Sequence, residues 1–155
     1  MQDPTTEVET NTNIDNEIEV EDITCFDHVP KSLENWFIVH AILDILVAIP
    51  LFIIPRIFLE TLGWMEVDTL AARLVAAALL GIGSISFFSR NEQVDTYRSL
   101  VRFKLIWSII AELGIALSLI IDAENYPSIA WIFVVIFVSF TVLWGYWWNA
   151  LRSYE

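Results

Sequence analysis

Four long apolar runs, residues 36–54, 69–89, 103–121 and 127–148, divide the chain after its first 34 residues. None carries the polar stripe at helical spacing that a helix in a soluble bundle turns toward water. At ~1.5 Å rise per residue each run reaches about 28 to 33 Å as a helix, close to the hydrocarbon thickness of a bilayer. The pattern predicts an all-α fold, a bundle of four transmembrane helices over those residues, within one domain spanning 35–151.

The connections add detail. In PRIFLETLGW, residues 55–64, the apolar positions Ile57, Phe58, Leu59 and Leu62 precede Gly63, which predicts a short interfacial helix on the outer face ended by that glycine. In RNEQVDTYRSLVRF, residues 90–103, helix is expected from about Glu92 with Asn91 as N-cap, so that the third helix projects from the membrane.

Aromatic rings gather at the segment ends. Trp36, Trp64, Trp131, Trp144, Tyr146, Trp147 and Trp148 sit where amphipathic rings favour the headgroup zone, while Trp107 lies a turn inside its run. Lys31, Arg90, Arg98, Arg102, Lys104 and Arg152 fall on the side of both termini, against Arg56 and Arg73 on the other. By the positive-inside rule both termini are cytoplasmic. A plasma or bacterial inner membrane and an endoplasmic reticulum membrane satisfy that rule equally.

Composition fits a nonaqueous solvent, with 56% hydrophobic and 18% charged residues. The formal net charge of -12 is mostly local: ten acids against Lys31 in residues 1–34 contribute -9 of it. This acidic stretch lacks sustained periodicity and is expected to be a disordered cytoplasmic tail. It has the pattern of neither a secretory signal nor a mitochondrial presequence. Within it IEVEDI, residues 18–23, alternates apolar and acidic positions, as a strand added to a partner's sheet edge would. Cys25 is the single cysteine and excludes an internal disulfide.

The second run is crowded with small residues at spacings of four, Ala72/Ala76 and Ala77/Gly81. Such rows let backbones approach closely where lipid removes the hydrophobic driving force. They make this helix the expected packing centre, or the interface of a dimer.

The runs AIPLFIIPRIFLETLGW, AARLVAAALLGIGSISFFSRNE, KLIWS and WGYWW together resemble a family of small four-helix membrane proteins known mainly from bacterial and archaeal genomes. The likeness covers roughly residues 36–151 and implies the four-helix fold. No activity is established for that family to imply one. A looser likeness to the DoxX-like four-helix proteins is one of architecture.

Two carboxylates stand near the middle of parallel runs: Asp44 is the ninth of 19 residues in the first and Glu112 the tenth of 19 in the third. His40 lies one turn before Asp44 on the same face, and Lys104 and Ser108 align at spacings of four below Glu112. A charge at that depth costs at least ~2.5 to 3.5 kcal/mol, so these groups are expected to face protein or water. His40, Asp44, Arg73 and Glu112 therefore form a candidate intramembrane cluster. It acts either as a polar lock on helix register or as a proton-binding site, since adjacent carboxylates raise each other's pKa.

Other chemistry is thinly represented. The His40 and Asp44 pair is short of a metal's ligand set, Cys25 and His28 offer two ligands only, and no glycine-rich phosphate loop precedes a helix. No cofactor or metal is expected, and an enzyme is disfavoured. Arg90, Arg98, Arg102 and Lys104 are candidate contacts to anionic lipid headgroups. The bilayer is the expected partner, together with a second copy or another membrane protein. Nucleic acid is excluded by the acidic tail and the lack of a basic aromatic patch. Two functions follow: a small membrane subunit or scaffold acting by association, or a proton-linked transporter using Asp44 and Glu112.

Overall fold

The computed structural model describes residues 29–152. The acidic alternating segment, Cys25 and His28 lie outside these residues, as does most of the expected tail. Helix α1 spans Lys31–Ile53, α2 Pro55–Thr61, α3 Thr69–Phe88, α4 Val94–Ile121 and α5 Ala130–Arg152, with short 3-10 turns at Ser89–Asn91 and Ala123–Asn125. Four of the five α-helices among the described residues, α1, α3, α4 and α5, are long and apolar enough to cross a membrane.

Local chemistry accounts for the boundaries. Pro55 occupies the first turn of α2, where its missing N–H is no loss. At the other end Gly63 adopts φ +96°, with Gly63 N–H donating to Glu60 O at 3.0 Å and Trp64 N–H to Leu59 O at 3.0 Å. This double closure needs a left-handed residue, and the glycine supplies it. Asp68 caps α3, its Oδ1 accepting from Leu70 N–H at 2.8 Å and Ala71 N–H at 3.1 Å.

Two boundaries differ from expectation. The residues 31–34, assigned above to the tail, are the first turn of α1. Helix α4 begins at Val94 behind Gln93, while Asn91, the expected N-cap, lies in the preceding 3-10 turn. The helix thereby extends nine residues before the start of its apolar run.

The long helices alternate in direction. Lys31, Phe88, Val94 and Arg152 mark one end of the bundle, called basal here, and Ile53, Thr69, Ile121 and Ala130 the opposite, apical end. The backbones approach closely within two pairs, α1 on α3 and α4 on α5. Small residues permit the first pairing: Ala48, Ala72 and Ala76 are buried together with Leu51. Ala77 and Gly81 take no part in it. Both are exposed, and a Cβ added at Gly81 meets nothing within 4 Å. Instead Gly83, seven residues on from Ala76, faces α1, where a Cβ would lie 3.1 Å from Asp44 Cβ and 3.3 Å from Ala41 O.

The two pairs meet through side chains at the basal end. Leu33 and Phe37 of α1, Tyr97 and Val101 of α4, and Trp144, Trp147 and Leu151 of α5 form one buried cluster. Phe37 sets its ring against Tyr97 at 4.8 Å and edge-on to Trp144 at 5.5 Å between centroids. Apically the contact is lighter, carried by Trp64 against Phe133 at 6.1 Å and by Gly63 beside Pro127.

Candidate functional site

Above the basal aromatic cluster, three polar side chains from the two pairs converge in apolar surroundings. His40 and Asp44, one turn apart, share a face of α1 because residues four apart are neighbours on a helix. Their atoms His40 Nδ1 and Asp44 Oδ2 are 3.0 Å apart. From α4, Lys104 reaches across with Nζ 3.0 Å from the same His40 Nδ1. Lys104 is 1% exposed, His40 5% and Asp44 8%, so water contributes little to holding their charges.

Aromatic rings box the cluster. The Lys104 ammonium lies 5.1 Å from the ring centroids of both Phe37 and Trp144, where the negative ring faces attract it. His40 stands edge-on to Phe140 at 4.5 Å and to Trp144 at 5.3 Å, which fixes the plane of the imidazole. On the far side Gly83 leaves room for Asp44. Ser108, one turn beyond Lys104 on α4, is also buried.

One ring nitrogen thus faces two claims. When Lys104 donates to Nδ1, that nitrogen spends its lone pair and has no proton to give Asp44. Asp44 Oδ2 is then buried 3.0 Å away without a hydrogen bond, an arrangement that is costly in an apolar setting. When the proton moves from the ammonium to Nδ1, the imidazolium donates to Asp44 and the lysine becomes a neutral amine. Both placements are neutral overall, with one positive and one negative charge. The geometry therefore accommodates a proton on either side of the seam between α1 and α4.

His40 and Asp44 also line a cavity of about 1150 Å³ bounded by α1, α4 and α5, with α2 and α3 contributing toward its apical part. Its wall is otherwise apolar, formed by residues such as Leu43, Val47, Ile110, Phe137 and Leu143, with Ser139 and Tyr146 adding hydroxyls. Trp107, which sits too deep for a headgroup anchor, faces this space.

The candidate residues named from sequence are distributed as follows. His40 and Asp44 come together. Arg73 does not join them, because its Nε donates to Phe52 O at 3.2 Å, tying α3 to the C-terminal turn of α1. There it covers one of the carbonyls a helix end leaves open. Glu112 is separate as well: its Oε2 accepts from Thr141 Oγ1 at 2.9 Å, inside the α4 and α5 pair. Lys104, grouped above with the headgroup arginines, is instead turned inward to His40. Arg90, Arg98 and Arg102 lie at the basal end, Arg90 over the Phe87 ring at 4.7 Å.

Lys104 and Gly83 join the site beyond the expected cluster: the sequence pattern places Lys104 among headgroup contacts and makes Gly83, with Gly81, a packing glycine. A signal existed for each. Lys104 shares a helical face with the buried Ser108, and Gly83 continues the row of Ala76 by seven residues. Among the described residues, no three His, Cys, Asp or Glu side chains converge as a metal site.

No family model matches the chain, and neither a curated protein nor a solved structure matches it.

Proposed function

We propose that the chain is a multi-pass membrane protein with both termini in the cytoplasm, which binds in its cavity a solute with an apolar body and a cationic or donor head and couples that binding to proton movement through Lys104, His40 and Asp44. The four apolar helices support the membrane assignment. The preponderance of Lys31, Arg90, Arg98, Arg102 and Arg152 at the basal end supports the orientation, even with the buried Lys104 discounted. The family resemblance drawn from the sequence is compatible with this reading and adds no activity to it.

The observation that carries the proposal is Asp44 Oδ2: buried, on the wall of an apolar cavity, and 3.0 Å from His40 Nδ1, a ring nitrogen that Lys104 Nζ also approaches to 3.0 Å. An acceptor so placed suits a solute with an apolar body and a cationic or hydrogen-bond-donating head. Binding of that head to Asp44 displaces the proton claim of His40, which links solute to proton. Glu112, held by Thr141, has a supporting place in the α4 and α5 interface rather than a share in the relay.

The test is proteoliposomes with an acidic interior, an internal pH dye, and the aromatic cation ethidium outside. Proton efflux that rises with ethidium uptake, and is lost in Asp44→Asn, is the expected result. Vesicles that neither take up the cation nor release protons faster than protein-free controls contradict the proposal.

A second reading, a small membrane subunit acting by association, is supported by the exposed Ala77 and Gly81 on α3. Small residues facing outward suit close approach of another helix. Replacing both with Ile abolishes any oligomer seen by crosslinking in native membranes if that face is the interface. An unchanged crosslinking pattern removes the support.

A further inference from the structure

The basal end holds a second cavity, of about 510 Å³, walled by Arg98, Ser99, Arg102, Trp148, Leu151 and Arg152. It brings three guanidiniums from α4 and α5 to one place, with no carboxylate among the described residues of its wall. Arg98 is anchored: Nη1 donates to Asp95 Oδ1 at 3.0 Å and Nη2 to Leu151 O at 3.2 Å. Its Nε is buried without a hydrogen-bond partner. Arg102 and Arg152 lie against the Trp148 ring, their guanidinium carbons 5.1 Å and 4.9 Å from its centroid. Among the described residues neither makes an ion pair.

The charge balance favours an anion. Asp95 offsets one of the three arginines, and it is 87% exposed and outside the pocket wall. The C-terminal end of α5 adds a partial negative charge of roughly half a unit, toward which Arg98 donates at Leu151 O. Among the described residues a surplus of positive charge remains. Guanidinium forks match phosphate oxygens in pairs, and stacking on Trp148 holds two of them in place with donors still free.

We propose that this pocket binds a phosphate group, taken either from an anionic lipid headgroup or from a soluble phosphate. Trp148 and Leu151 give it an apolar floor of the kind found at the membrane interface, and Arg98, by bracing α5 through Leu151, sets the spacing of the site. The site lies apart from the cavity that holds Asp44, and neither depends on the other.

The full chain in nanodiscs of phosphatidylcholine is titrated in two arms, with phosphatidylglycerol incorporated at increasing fraction or with inorganic phosphate in the buffer. Tryptophan fluorescence is the readout, with Trp148→Phe subtracted to isolate the signal of that ring. A saturable response to phosphatidylglycerol alone assigns the site to lipid, and one to inorganic phosphate assigns it to a soluble ligand. In either case the double variant Arg102→Gln/Arg152→Gln, both exposed positions, weakens binding by about 30-fold. No saturable response in either arm, or a response the double variant leaves unchanged, overturns the proposal.

Discussion

Lys104 Nζ and His40 Nδ1 lie 3.0 Å apart and join α4 to α1, the only polar link between the two helix pairs within the buried interior of the described residues. The contact does two things. It ties together halves whose backbones otherwise approach little, and it places an exchangeable proton at their seam.

Removing the ammonium leaves Asp44 as an uncompensated buried acid. Lys104→Met is expected to destabilise the protein by about 3 kcal/mol, the usual cost of stripping one partner from a buried ionic group. Adding Asp44→Asn restores part of that loss, because the remaining group is then neutral. Thermal unfolding in detergent of the two single variants and the double one gives the coupling directly. Strict additivity refutes the shared network.

Gly83 and Gly81 differ in what surrounds them, and their alanine variants are expected to diverge. At Gly83 the new Cβ crowds Asp44 Cβ at 3.1 Å and Ala41 O at 3.3 Å, which is overpacking worth about 1 to 3 kcal/mol. At Gly81 the space is open, so Gly81→Ala is neutral or stabilising by up to about 1 kcal/mol through helix propensity. The same unfolding measurement separates them; equal effects contradict the assignment of Gly83 to the α1 contact.

Thr141→Val deletes the hydroxyl that donates to Glu112 and leaves a half-buried carboxylate in an apolar interface. A loss of about 1 to 3 kcal/mol is expected. Glu112→Gln keeps an oxygen to accept that bond and is expected to stay within about 0.5 kcal/mol of the parent, the range of substitutions that break no buried partnership. A large loss from Glu112→Gln alone would show that its charge is required.

Much of this arrangement was legible in the sequence. The apolar runs foretell four membrane-length helices, Gly63 ends α2 with the left-handed turn expected of it, and the spacing of His40 and Asp44 puts them on one face. The partners of those two were harder to read. Lys104 looks terminal when the apolar run is taken to begin at residue 103, yet α4 starts at Val94 and makes it the eleventh residue of a 28-residue helix. Polar residues at the start of α4 hide that extension, because the helix continues past the apolar stretch. Helix rotation was the other gap. Ala72/Ala76 and Ala77/Gly81 are equivalent by composition, and only the shape of α1 decides which row it packs against. Arg73 and Glu112 find partners on neighbouring helices, Phe52 O and Thr141, that spacing along one helix cannot supply.

The most direct test of the central claim is nitrogen-15 NMR of the His40 ring across pH, with His28→Gln removing the other histidine. If the proton is shared between Lys104, His40 and Asp44, the Nδ1 resonance moves from a protonated toward an unprotonated value as the pH is raised, and Lys104→Met and Asp44→Asn each displace that transition. An Nδ1 signal that holds one value throughout, in the parent and both variants, contradicts the account and leaves the cluster a fixed lock between helices.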